Sequence, residues 1–224
     1  MTGSLFGVLG LWGLFAGTHT VLSSRGLRPR LVARLGEPTF LGLYSLVALA
    51  SFVPLVWLYL ETRHQGALLW ALPLGTAGLW ALYAGQAVAW TLVVAGLVNP
   101  SPATVGLPAE RRPRDPRGVH RLTRHPLFMG LGLAGLLHLP ANGFATDVAF
   151  WAGFPLFAWL GCAHQDARKA LEQPGYAEWI RATPFLPFTG SGTLRGLREL
   201  RPSVLAAGLV LTITLRLLHA PLFR

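Results

Sequence analysis

Charged residues are scarce in this 224-residue chain, at 12% against roughly 25% in an ordinary soluble domain. With 52% of the residues hydrophobic, so few charges cannot cover a water-facing surface. That excludes a soluble globular domain and leaves an integral membrane protein. Acids are scarcest, nine against nineteen Lys+Arg, giving a net charge of +10. Because the basic residues stand in loops between apolar runs, the imbalance reads as membrane orientation and not as nucleic acid binding. The single cysteine, Cys162, excludes an internal disulfide and any Cys-rich metal site, and its apolar surroundings make it a small packing residue. The apolar N-terminus lacks a basic start and an A-x-A site, so an uncleaved first helix is expected there.

What is present is a series of apolar runs. A span needs about 20 apolar residues, and six runs qualify: 3–23, 39–60, 67–98, from Pro126 to Pro140, 145–164 and 202–220. The third is long enough for one steeply tilted helix, although Pro73 and Gly75 offer a break. With one span there and the N-terminus outside, sixteen of the nineteen basic residues fall in cytoplasmic segments. These are Arg25, Arg28, Arg30 and Arg34; Arg111, Arg112, Arg114, Arg117, Arg121 and Arg124; and Arg168, Lys169, Arg181, Arg195, Arg198 and Arg201. Arg63 and Arg224 lie outside, and Arg216 lies within the sixth span. The positive-inside rule is met by this count and spoiled by a seventh span. The expected fold is an all-α polytopic bundle of about six spans with both termini on the outer, periplasmic side, as one membrane domain over residues 1–224.

Seven histidines are the most informative polar residues, since an ionisable or metal-binding side chain at membrane depth is a functional hypothesis by default. His19 stands near the cytoplasmic end of the first span, His120 and His125 before the fourth, and His164 at the end of the fifth. His138 and His219 lie toward the outer ends of the fourth and sixth. His64, in the short outer loop, receives no role. Three constellations surround them: Phe15-Ala-Gly-Thr-His19, Arg121-Leu-Thr-Arg124-His125-Pro126, and Gln165-Asp166-Ala-Arg168-Lys169. The plainest reading of the arginines is headgroup anchoring, and of Asp166 with Arg168 a surface charge pair. Arg216 and His219 share a face of the last helix, where a buried anion such as a haem propionate or a lipid phosphate would account for both.

Taken in order, these residues resemble the NnrU family, whose relatives include the plant 15-cis-zeta-carotene isomerases. The likeness rests on Phe15-Ala-Gly-Thr-His19, Arg34-Leu-Gly-Glu37, Leu43-Tyr-Ser45 and Arg121-Leu-Thr-Arg-His-Pro126. It continues through His138 with Asn142-Gly143, Asp166-Ala-Arg168, Gly175, Thr183-Pro-Phe-Leu-Pro-Phe188 and His219-Ala-Pro-Leu-Phe223. It implies a haem b with two axial histidines, His19 and His138, acting on a polyene by cis–trans isomerisation, the haem supplying the chemistry and the protein tuning it. Bacterial members are associated by name with nitrite and nitric oxide reduction, in an accessory role. The isomerase cysteine is replaced here by Gly135, and a tryptophan of many relatives by Ala134.

Chain position puts His19 about 8 Å and His138 about 18 Å from the cytoplasmic edge, so one iron would require helix tilt to absorb the difference. The rival pairings are His19 with His125 or His164, and His138 with His219. An alternative enzyme class is an S-adenosylmethionine-dependent methyltransferase of the isoprenylcysteine carboxyl methyltransferase type. It is suggested by Arg124-His-Pro-Leu-Phe-Met-Gly130, Leu171-Glu-Gln-Pro-Gly-Tyr176 and Pro184-Phe-Leu-Pro187, although Asp166 and Glu172 do not form that family's adjacent acidic pair. A third reading is a non-catalytic membrane assembly subunit. The cofactor-binding candidates are therefore Arg124, His125, Asp166, Arg168 and Arg216, and the metal candidates His19, His138 and His219. The expected surroundings are the lipid bilayer of a bacterial inner membrane, with a hydrophobic small molecule as a possible substrate and no nucleic acid partner.

Overall fold

The computed structural model describes residues 2–104, 112–113 and 115–222. Arg111, Arg114, Phe223 and Arg224 lie outside them, as does part of the 108–117 loop. Among the described residues are nine α-helices: α1 Thr2–Leu22, α2 Leu27–Leu35, α3 Glu37–Thr62, α4 Gly75–Val98, α5 Pro126–His138, α6 Ala145–Glu172, α7 Tyr176–Ala182, α8 Thr193–Glu199 and α9 Pro202–Leu222. The fold is all-helical as expected. Four helices, α1, α3, α4 and α9, are long and apolar enough to cross a membrane. The third apolar run carries a single helix, which starts only at Gly75 because Pro73 cannot donate in a helix and residues 67–70 pair with the 139–145 segment instead. At 13 residues, or about 20 Å, α5 is shorter than a hydrocarbon core. The long α6 carries Asp147 in its first turn and polar residues in its last turns.

The exposed surface of the long helices is apolar, with Phe6, Trp57, Trp80 and Leu217 all more than two-thirds exposed. Side chains that water would drive inward are left on the surface here, as suits a lipid environment, and the polar backbone is satisfied within each helix. Pro54 inside α3 deprives the Ala50 carbonyl of its usual donor, a defect that spanning helices tolerate.

The chain forms two compact units, residues 1–74 with 138–153, and 75–137 with 154–224. In the first, α1 and α3 run antiparallel, with Ser4 bonded to Gln65 near one end and the Tyr44 hydroxyl donating to the His19 carbonyl near the other. Between these ends the core is aromatic: Trp12, Phe15, Phe52, Tyr59 and Phe150 are linked ring to ring, and the Trp12 indole donates to the Phe150 carbonyl at 3.1 Å. The Asn142-Gly143 pair has a local cause. Asn142 Nδ2 donates to the His138 carbonyl at 2.8 Å, and a Cβ on Gly143 would collide with the Trp70 carbonyl. Gly143→Ala is therefore expected to destabilise this unit by about 1–3 kcal/mol through backbone displacement, read as a lower denaturation midpoint in detergent.

In the second unit, α4 packs against α5 and α9 through small residues. Gly96 lies against the Leu127 backbone, Gly130 against the Ala89 carbonyl, and Gly208 against Thr91. Where no water drives helices together, this close approach supplies the attraction. Gln86 Nε2 donates across to the Ala134 carbonyl at 3.0 Å.

Candidate functional site

The sequence places Arg124 and His125 immediately before α5, whose first residue, Pro126, is suited to a helix start. Asp166 lies on α6 one turn after the buried Cys162, and Tyr176 opens α7 after Gly175, which adopts a left-handed φ of 80°. Folding of the second unit brings these four together. Asp166 accepts three hydrogen bonds, from Arg124 Nε at 2.7 Å, His125 Nε2 at 2.9 Å and the Tyr176 hydroxyl at 2.9 Å. Arg124 also donates through Nη1 to the Thr183 carbonyl and through its backbone to the Pro184 carbonyl, and its guanidinium lies 5.0 Å over the Phe185 ring. Thr123 donates to the Phe185 carbonyl at 2.6 Å. The 183–188 motif is thus held by the residues that precede α5.

Charge balance explains why the cluster is stable. Burial alone would raise the Asp166 pKa, but the hydrogen bond and charge of His125, with those of Arg124, outweigh it and hold the carboxyl below its ordinary range. Burial and then the charge of Asp166 push the Tyr176 hydroxyl far up, so it stays protonated and donates. A carboxylate with a depressed pKa and three donors is a poor base, and Arg124 and His125 are committed to it. Arg124, His125 and Asp166, expected to bind a cofactor, bind one another.

Arg168, also expected there, pairs with Glu172 at 2.6 Å and is buried, with its Nε lacking a partner. Asp166 and Arg168 do not form the surface pair; both are buried and each has other partners. Arg216 is exposed on α9, donates to the Tyr83 hydroxyl at 3.1 Å and stands 5.3 Å over that ring. His219 is exposed on the same helix.

His19 and His138 both belong to the first unit. The His19 ring lies 4.5 Å from Tyr44, whereas His138 stacks on Trp151 at 3.7 Å, and the Trp151 indole donates to the Tyr59 hydroxyl at 2.9 Å. Tyr44 and Tyr59 are about 22 Å apart along α3. The two imidazoles therefore stand toward opposite ends of that helix, with the aromatic core between them, and do not fit the two axial positions of one haem.

The sequence reading passed over Asp147. It is fully buried and accepts from the His64 backbone at 3.0 Å and from His64 Nδ1 at 2.8 Å, while Tyr59 hydrogen-bonds to it as well. Its signal was in the sequence, as a lone acid inside an apolar run. His64, given no role, is held in a left-handed backbone with φ 57°.

A second buried histidine fixes the loop after α4. His120 Nε2 donates to the Pro100 carbonyl at 3.2 Å, Gln173 donates to the Pro102 carbonyl, and Ala103 packs on Tyr176 and Trp179. Burial lowers the His120 pKa below its ordinary 6.5. Below pH 6.5 the unfolded chain takes up a proton that the folded ring resists, so stability is expected to decline as pH falls from 6.5 through the lowered value and to be insensitive to this group above it. Denaturation midpoints from pH 8 to about 5 check this, with His120→Gln flattening the slope. Nearby, the half-buried Glu199 is held at about 2 by the Gly118 amide, reinforced by Arg195 and Arg121.

A family model described as NnrU protein matches residues 8–224. No curated protein and no solved structure matches the chain.

Proposed function

The chain belongs to the NnrU family, and from that premise we propose that it is an accessory membrane protein of nitrite and nitric oxide metabolism rather than a membrane enzyme. The observation that carries this reading is the engagement of Asp166: three donors from two segments, the residues before α5 and the start of α7, converge on one carboxylate. The motif residues thereby fasten α5, α6, α7 and the 183–188 segment instead of presenting charge to a ligand. A methyltransferase would need Arg124 and His125 turned toward the cofactor, and both are engaged within the protein. A polyene isomerase with one bis-histidine haem would need His19 and His138 at one depth, and each packs near a different end of α3. Haem, where bound, supplies redox and ligand-binding chemistry.

The test is a detergent-purified protein expressed with haem supply, examined by absorption spectroscopy and by thermal shift with S-adenosylmethionine. The expected result is no low-spin haem spectrum that depends on both histidines, and no shift with S-adenosylmethionine. A low-spin spectrum abolished in His19→Ala and in His138→Ala alike, or a saturable shift lost in Arg124→Ala, would sink the accessory reading.

A further inference from the structure

α2 is enclosed in sequence by two helices long and apolar enough to cross a membrane, α1 ending at Leu22 and α3 beginning at Glu37. It cannot leave the membrane surface at which both of them end. Gly36, with φ 77°, makes the turn between α2 and α3, and its amide closes α2 on the Val32 carbonyl. Leu27, Leu31 and Leu35 recur four apart and form one stripe, with Arg30 and Arg34 along one flank and Arg28 along the other. In a water-soluble protein such a stripe would be covered by a core. Here α2 has no buried residue and Leu35 is 40% exposed.

The arginines differ in their partners. Arg28 reaches Glu37 at 3.1 Å and lies 5.5 Å over the Phe40 ring. Arg30 and Arg34, one turn apart and exposed, have no acidic partner among the described residues, and Glu37 is the only acid before Glu61. Two guanidiniums beside a leucine stripe that is half-buried at Leu27 and Leu31 and exposed at Leu35, at a membrane surface, match a phosphate whose diester carries acyl chains. We propose that α2 lies in the interface and holds the headgroup phosphate of an anionic phospholipid between Arg30 and Arg34, with the leucines on the acyl side.

Native mass spectrometry of the full-length protein, with phosphatidylglycerol and phosphatidylcholine at equal concentration, tests this. The wild type is expected to retain phosphatidylglycerol several-fold over phosphatidylcholine. Arg30→Gln/Arg34→Gln is expected to lose about tenfold of that retention, and Arg30→Lys/Arg34→Lys to keep most of it. Equal retention of both lipids by the wild type overturns the proposal, as does an undiminished preference in the folded glutamine variant. Displacement of the lipid by inorganic phosphate at matched concentration would assign the site to free phosphate and overturn it too. Should the glutamine variant not fold, salt decides: the wild-type preference must weaken as salt rises to about 0.5 M, and a salt-independent preference sinks the idea.

Discussion

Replacing Asp166 with alanine is expected to lower the unfolding free energy by about 3–5 kcal/mol, the usual consequence of removing one partner of a buried ion pair. The reason is what remains. Arg124, with its side chain 11% exposed, and His125, at 2%, lose their acceptor while their own burial is unchanged. The Tyr176 hydroxyl loses its acceptor as well. Arg124 keeps the Thr183 carbonyl and the Phe185 ring, so the guanidinium is not wholly stranded. For a chain of this size the denaturation midpoint should fall by about 10 °C. Asp166→Asn, which preserves an acceptor oxygen, should lose less. Arg124→Ala combined with Asp166→Ala should fall well short of the sum of the single changes, because the pair is removed together. A loss from Asp166→Ala below about 1 kcal/mol would show that the cluster does not hold the unit together. The pH dependence has a definite sign. Because the folded carboxyl is held below its ordinary 3.8, the stability it contributes is complete above pH 3.8 and is lost as pH falls through the lowered value. Between neutrality and pH 3.8, His120 therefore governs the slope more than Asp166 does.

Asp147→Ala is the second large effect, expected at about 3 kcal/mol from a lost carboxylate that serves several donors. Asp147 is fully buried, and its two oxygens take the backbone and ring N–H groups of a single residue, His64. That double grip holds His64 in a left-handed conformation, which costs a non-glycine residue about 1–2 kcal/mol. Once the carboxylate is gone, the loop is expected to relax. Hydrogen exchange at residues 63–66 should rise sharply, while exchange in the middle of α3 stays slow. His64→Gly should cost less than Asp147→Ala, since glycine relieves the backbone while sacrificing only the ring contact. Equal losses for the two variants would mean that the ring, and not the backbone turn, is what Asp147 secures.

The two acids were not equally legible. Asp166 drew notice because it stands in a dense polar motif, yet its partners were misassigned. Arg168 is its neighbour in sequence, but two residues along a helix turn about 200° around the axis, so the pair cannot share a face. Residues before α5 and at the start of α7 reach Asp166 instead. Asp147 drew none, although a solitary acid in an apolar run is the stronger signal. The His64 ring that meets it lies 83 positions away, beyond any local pattern. His19 and His138 show the same limit. Chain arithmetic anticipated unequal depths, but only the packing of His19 on Tyr44 and of His138 on Trp151 set those depths against a common ruler, α3.

What the sequence by itself determined was the helical class and the long apolar helices, not every element. Too few charges to face water, apolar runs of spanning length and a basic bias in the loops specify helices in a membrane, because backbone polarity must be satisfied within each segment when lipid offers no partner. The start of α4 at Gly75 already depended on more, namely the pairing of residues 67–70 with the segment around Gly143. The tertiary structure alone decided which polar side chains meet. In a bilayer the apolar faces are nearly interchangeable, since lipid solvates them all. The register of the helices is set instead by close approach at Gly96, Gly130 and Gly208 and by the few buried polar groups, and those contacts join residues far apart in the chain.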